Sequence, residues 1–131
     1  MASVRPLAQA VSRFAPPLAL MALIFFLSAQ PDLNSGLGVW DTIGRKFVHF
    51  ATFGALWWLW DRALNHNHPL IAAVITVAYA ISDEYHQTFV DGRVGSARDV
   101  LIDSAGVLAA WLLSRWLARR REALEGMHRA R

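Results

Sequence analysis

Four stretches of about 20 mostly apolar residues, parted by short polar breaks, constrain this chain more than any other feature. A helix that crosses a bilayer needs roughly 20 such residues at about 1.5 Å each. Residues 11–30, "VSRFAPPLALMALIFFLSAQ", place Pro16 and Pro17 near the start of the first regular segment. Residues 45–63, "RKFVHFATFGALWWLWDRA", carry Trp57, Trp58 and Trp60 as an interfacial aromatic belt. Residues 69–89 open on Pro69, a residue suited to a helix start. Residues 98–117, "RDVLIDSAGVLAAWLLSRWL", form the fourth. In lipid an open strand edge would leave backbone groups unsatisfied, so the Val, Ile and Ala of the third segment read as helix. Short connections imply antiparallel neighbours. The expectation is an all-α, integral membrane four-helix antiparallel bundle over residues 11–117, with a short N-terminus at 1–10 and a basic tail at 118–131.

Composition narrows the rest. Hydrophobic residues make up 55% of the 131, more than soluble domains usually carry. The absence of cysteine removes disulfides, thiolate metal sites and cysteine nucleophiles. The net charge of +3 concentrates in "RRREALEGMHRAR", where a juxtamembrane tail facing anionic lipid explains it. No nucleic-acid-binding motif accompanies that charge, so nucleic acid is not an expected partner. A cleaved signal peptide competes for the first segment, with Arg5 and Arg13 before a short apolar core. Leu27, though, stands where the cleavage site wants a small residue.

Orientation follows from the basic residues. With four spans, Arg5, Arg13, Arg62, Arg115, Arg119, Arg120, Arg121, Arg129 and Arg131 share one side, against Arg45, Lys46, Arg93 and Arg98 on the other: nine to four. Both termini are therefore expected in the cytoplasm. The loops at 31–44 and 90–97 should face outward.

The polar residues then gather at one end. Ser28 and Gln30 end the first helix, and Lys46 and His49 begin the second. Asp83, Glu84 and Gln87 end the third, and Asp99 and Asp103 begin the fourth. At about 1.5 Å per residue, Asp83, Asp103 and His49 lie roughly 9, 7.5 and 6 Å in from Phe89, Arg98 and Arg45. Lys46 with His49, Asp83 and Glu84 with Gln87, and Asp99 with Asp103 are spaced three or four apart, so each set shares a face. Ionised groups at that depth tolerate lipid poorly. They should turn inward and meet, with Lys46, His49 and Arg93 as the available cations. Ala105, Gly106, Ala109 and Ala110 give the fourth helix a small-residue surface that permits close approach, and Gly54 and Ala55 do the same for the second.

Three motifs in order, "KFVHF", "DEYHQTF" and "GRVGSARDVLIDSAG", resemble VanZ-like membrane proteins across residues 26–106. The pattern is Lys-x-x-His-Phe, Asp-Glu-x-x-Gln-x-Phe, then Gly-Arg-x-x-Ser-x-x-Asp, with a polar residue and a glycine after. Asp103 stands where the family often has Asn, and Asp91 where it often has Pro. The resemblance implies a small multi-pass protein of the bacterial inner membrane, with a family link to teicoplanin resistance and no securely established biochemical activity.

The cluster supports several chemistries. His49, Asp83 and Glu84 are the candidate catalytic residues, two carboxylates for general acid–base work and an imidazole to accept a proton. The same residues serve equally as packing links between helices. Lys46, Gln87, Arg93, Ser96, Asp99 and Asp103 are candidate ligand or anion contacts. Ser96 and Asp99 read locally as a capping box, while Gly92, Arg93 and Gly95 ahead of a helix N-terminus suit an anion. A lipid phosphate or a polyprenyl-phosphate-linked precursor would be the matching partner; oligomers are also allowed. His49, Asp83, Glu84, Asp99 and Asp103 are oxygen-rich enough for a hard divalent cation. No ligand spacing identifies a metal site, and no cofactor is expected. Tyr79, one turn from Asp83, is placed to hydrogen-bond it. His66 and His68 read as a solvated turn, and that half of the bundle reads as apolar. A small proton-coupled transporter and a non-catalytic partner protein are the alternatives.

Overall fold

A computed structural model of the chain describes residues 4–29, 36, 38–90, 92 and 95–131. Its four helices are α1 (Val4–Ser28), α2 (Val39–Ala63), α3 (Pro69–Gln87) and α4 (Ala97–Arg129), and no strand occurs among the described residues. Two of them, α1 and α4, are long and apolar enough to cross a membrane.

Helix limits differ from the expected ones in three places. α1 starts at Val4, so Pro16 and Pro17 fall in its interior. Each proline removes one backbone donor, and helices tolerate this where other groups satisfy the freed backbone. α2 starts at Val39, and its added first turns carry an Asp41–Arg45 pair one turn apart at 2.5 Å, a spacing that supports a helix. α4 runs on through the basic tail to Arg129. Pro69 does open α3.

α2 and α4 share the most extensive interface. His49 meets Asp103, Gly54 meets Gly106 and Trp57 stacks on Trp111 at 5.9 Å, so positions advance together along both helices. Glycine makes this possible. A Cβ on Gly106 would overlap the Phe50 backbone, and one on Gly54 would sit 2.9 Å from the Gly106 carbonyl oxygen. Of the small residues expected to allow this approach, Gly54, Gly106 and Ala110 meet at the contact, whereas Ala55 and Ala105 are exposed.

Phe53, Leu56, Trp57, Ala72, Ala80, Ile24 and Val107 form the core. Trp57 therefore departs from the expected interfacial belt: it is buried, and its indole N–H donates to the Pro69 carbonyl at 3.1 Å. Trp60 packs on the core, and Trp58 alone of the three is exposed. At the α1–α2 end, the Arg13 guanidinium donates to the Ala63 carbonyl, and Phe14 lies 6.3 Å from Trp60.

The outside of the fold is apolar. Leu23, Phe26, Val74, Ile81, Leu101 and Leu112 are each more than half exposed, whereas Asp83, Glu84 and Asp103 are buried. This inverts the usual distribution of a soluble protein.

Candidate functional site

The polar residues at the Ser28 end lie on facing turns of all four helices. Ser28, the last residue of α1, donates its hydroxyl to Asp83 of α3. Gln87, one turn along α3, donates to the other Asp83 oxygen at 3.2 Å. His49 of α2 bonds through Nδ1 to Asp103 of α4 at 3.1 Å, and its ring stacks on Phe53. One turn outward on the same two helices, Lys46 Nζ lies 3.7 Å from Asp99. The three-residue step on α2 thus meets the four-residue step on α4, giving two rungs. In the inner rung Asp103 is fully buried while the His49 side chain keeps 30% exposure on the cavity side; both members of the outer rung are about one-third exposed.

Glu84 ties α3 to α4 in a way that local spacing hides. Ser96 caps α4, its hydroxyl accepting from the Arg98 amide at 3.1 Å. The reciprocal half of the expected capping box is not made by Asp99, which faces Lys46. Glu84 takes that place: its Oε2 accepts the Ser96 amide at 2.9 Å. Gly95 allows the approach, because a Cβ there would stand 2.5 Å from the Glu84 carbonyl oxygen. Gly95 therefore serves close packing rather than an open anion loop. Gly92 does adopt a positive φ of 76°. Arg93 and Asp91, and Gln30 on the first segment, lie outside the described residues.

His49, Glu84 and Asp103 come together most closely, each offering a ligand atom within 4.8 Å of the others. Glu84 and Asp103 each keep one buried oxygen with no hydrogen-bond partner. Beside them a cavity of about 500 Å³ is lined by Ser28, His49, Thr52, Asp83 and Arg45 together with Trp40 and apolar Ile24, Val48 and Phe53. Polar and greasy walls meet there.

Two expectations turn out differently. The Tyr79 hydroxyl donates to the Met21 carbonyl of α1 at 2.5 Å, not to Asp83. At the far end, Asp61 is buried and bonded to His66 Nδ1 at 2.7 Å. That half of the molecule is not wholly apolar, and His66 is not simply a solvated residue. Asn65 and His66 take φ values of 58° and 59°, so the turn reverses and carries the His66 ring back to Asp61. A five-residue spacing lies on no common helical face, which is why helix periodicity gave no sign of it. His86 stacks on Phe25 at 4.3 Å, away from the cluster.

The VanZ/LLP1 family model matches residues 9–118, most of the chain and all of this cluster. Neither a curated protein nor a solved structure matches at a significant level. The chain belongs to the VanZ/LLP1 family.

Proposed function

We propose that this VanZ-family protein is integral to the bacterial inner membrane, as an antiparallel four-helix bundle with both termini cytoplasmic, and that its cavity near the outer face holds the headgroup end of a lipid-linked envelope component. The observation that carries this reading is the mixed wall of that cavity. Ile24, Leu27, Val48 and Phe53 suit an acyl or prenyl chain, while Ser28, His49 and Arg45 set polar groups in the same wall, each held in place by an acid, Asp83, Asp103 and Asp41 respectively. Arginine is well matched to a phosphate. The inverted exposure pattern supports lipid around the bundle, and the nine-to-four distribution of basic residues supports the orientation. Within this reading, His49 is the group placed to exchange a proton with the bound headgroup, and Asp83 and Glu84 are its acidic neighbours. A site at the outer leaflet also fits the family's link to teicoplanin resistance.

Native mass spectrometry of gently extracted protein tests the proposal. A phospholipid or polyprenyl phosphate retained at one per chain is expected, with retention reduced in Arg45→Gln. Protein that flies lipid-free, or equal retention in that variant, would reject it.

A second reading rests on its own observation: each carboxylate links two helices, Asp83 to α1, Glu84 to the α4 cap and Asp103 to α2. A purely structural cluster would show as lost thermal stability and expression in Glu84→Gln and His49→Gln, with lipid retention intact in whatever protein folds.

A further inference from the structure

We propose that His49, Glu84 and Asp103 form a binding site for a single divalent transition-metal ion of the Zn²⁺ or Mn²⁺ class. The site goes beyond lipid binding and does not depend on it.

Three independent features converge. First, the donors are close enough. His49 Nδ1 and Asp103 Oδ1 are 3.1 Å apart, and two ligands about 2.1 Å from one zinc ion stand about 3–3.4 Å apart at the angles such ions favour. All three donors lie within 4.8 Å of one another, the trans span of ligands about 2.4 Å from a hard cation. A smaller ion would have to draw the three donors in from that span.

Second, the two carboxylates have unused capacity. Glu84 gives Oε2 to the Ser96 amide, and Asp103 gives Oδ1 to His49. Glu84 Oε1 and Asp103 Oδ2 are buried without a partner, on side chains that are 5% and 0% exposed. A buried carboxylate oxygen left without a partner is costly. The other acids of the cluster are spoken for: Asp83 holds Ser28 and Gln87, and Asp99 holds Lys46.

Third, two carboxylates withdrawn from water call for a counter-charge. Lys46, at this end of the molecule, is engaged with Asp99, and a cation bound beside a neutral His49 would supply that charge. A neutral imidazole with two carboxylates suits a borderline ion better than Mg²⁺, which prefers all-oxygen shells and keeps its waters. His49 also lines the cavity beside the cluster, which provides a way in. The Ser96 amide on Glu84 then acts as the outer contact that holds a metal ligand in place.

The test uses full-length protein in detergent, stripped with EDTA and titrated separately with Zn²⁺, Mn²⁺ and Mg²⁺. Saturable uptake of one Zn²⁺ or Mn²⁺ per chain is expected, with a raised thermal midpoint. Asp103→Asn and Glu84→Gln should each weaken binding by more than the about 10–100-fold typical of losing an outer contact. Glu122→Gln, on the exposed tail of α4, should bind as the wild type does. The wild-type titration decides even where a variant fails to fold: no saturable uptake, or an unmoved midpoint, overturns the site. Equal uptake in wild type and both site variants, equal loss in Glu122→Gln, or preference for Mg²⁺ does so as well. Lipid retention plays no part in these readings, so a failed metal site and a failed lipid site are told apart.

Discussion

Asp83 shows how one side chain serves two helices at once. It accepts from Ser28 across the α1–α3 contact and from Gln87 within α3, so a buried charge is matched by two donors. Removing one donor leaves the carboxylate under-satisfied, at a cost of about 1–3 kcal/mol. Ser28→Ala should therefore lower stability by that amount in detergent unfolding. Asp83→Asn should cost less in the Ser28→Ala background than in the wild type, because the two changes remove one interaction. Strict additivity would show that the residues are uncoupled. Ser28 was legible in sequence only as a helix end; that it reaches Asp83, 55 residues on, is a matter of tertiary fold. The pairing of Lys46 and His49 with Asp99 and Asp103 was nearer the surface of the sequence, since both sets sit one turn apart and carry opposite charge. Glu84 shows the limit. Its partner is a backbone amide in the next helix, and a backbone amide leaves no mark in a sequence.

Between elements, the α2–α4 contact depends on glycine at closest approach. Gly106→Ala places a methyl group against the Phe50 backbone, which cannot rotate aside as a side chain would. The helices must separate, and a loss of at least about 1–3 kcal/mol is expected. Gly44→Ala is the matched control, a helical glycine with nothing within 4 Å of the added carbon. There the gain in helix propensity should leave stability unchanged or raise it by up to about 1 kcal/mol. Thermal unfolding of the two variants side by side checks both signs. The small residues of "DSAGVLAA" signalled this contact in the sequence. The early start of α1 was hidden by Pro16 and Pro17, which ordinarily mark a boundary, and the early start of α2 by the polar look of "DTIGR".

For the whole molecule, topology is the open quantity, and the absence of native cysteine makes it measurable. Single cysteines at exposed Val39 and Met127 should react from opposite sides of intact cells with a membrane-impermeant thiol reagent: Val39→Cys is labelled, and Met127→Cys only after lysis. Equal labelling of both in intact cells would contradict the cytoplasmic termini. α4 has the length to carry residue 127 well clear of a bilayer, since its 33 residues at about 1.5 Å each exceed a hydrocarbon core of about 30 Å.

Between Asp61 at one end and the His49 cluster at the other stand Phe53, Leu56 and Trp57, each enclosed by its neighbours. Asp61 stands twelve positions beyond His49 on α2, about 18 Å along the helix. Thr76, the buried hydroxyl at that level, is turned onto its own Ala72 carbonyl. Among the described residues a closed layer of aromatic and aliphatic side chains thus parts the two polar ends in this conformation, and the buried acids of each end find their partners on their own side of it.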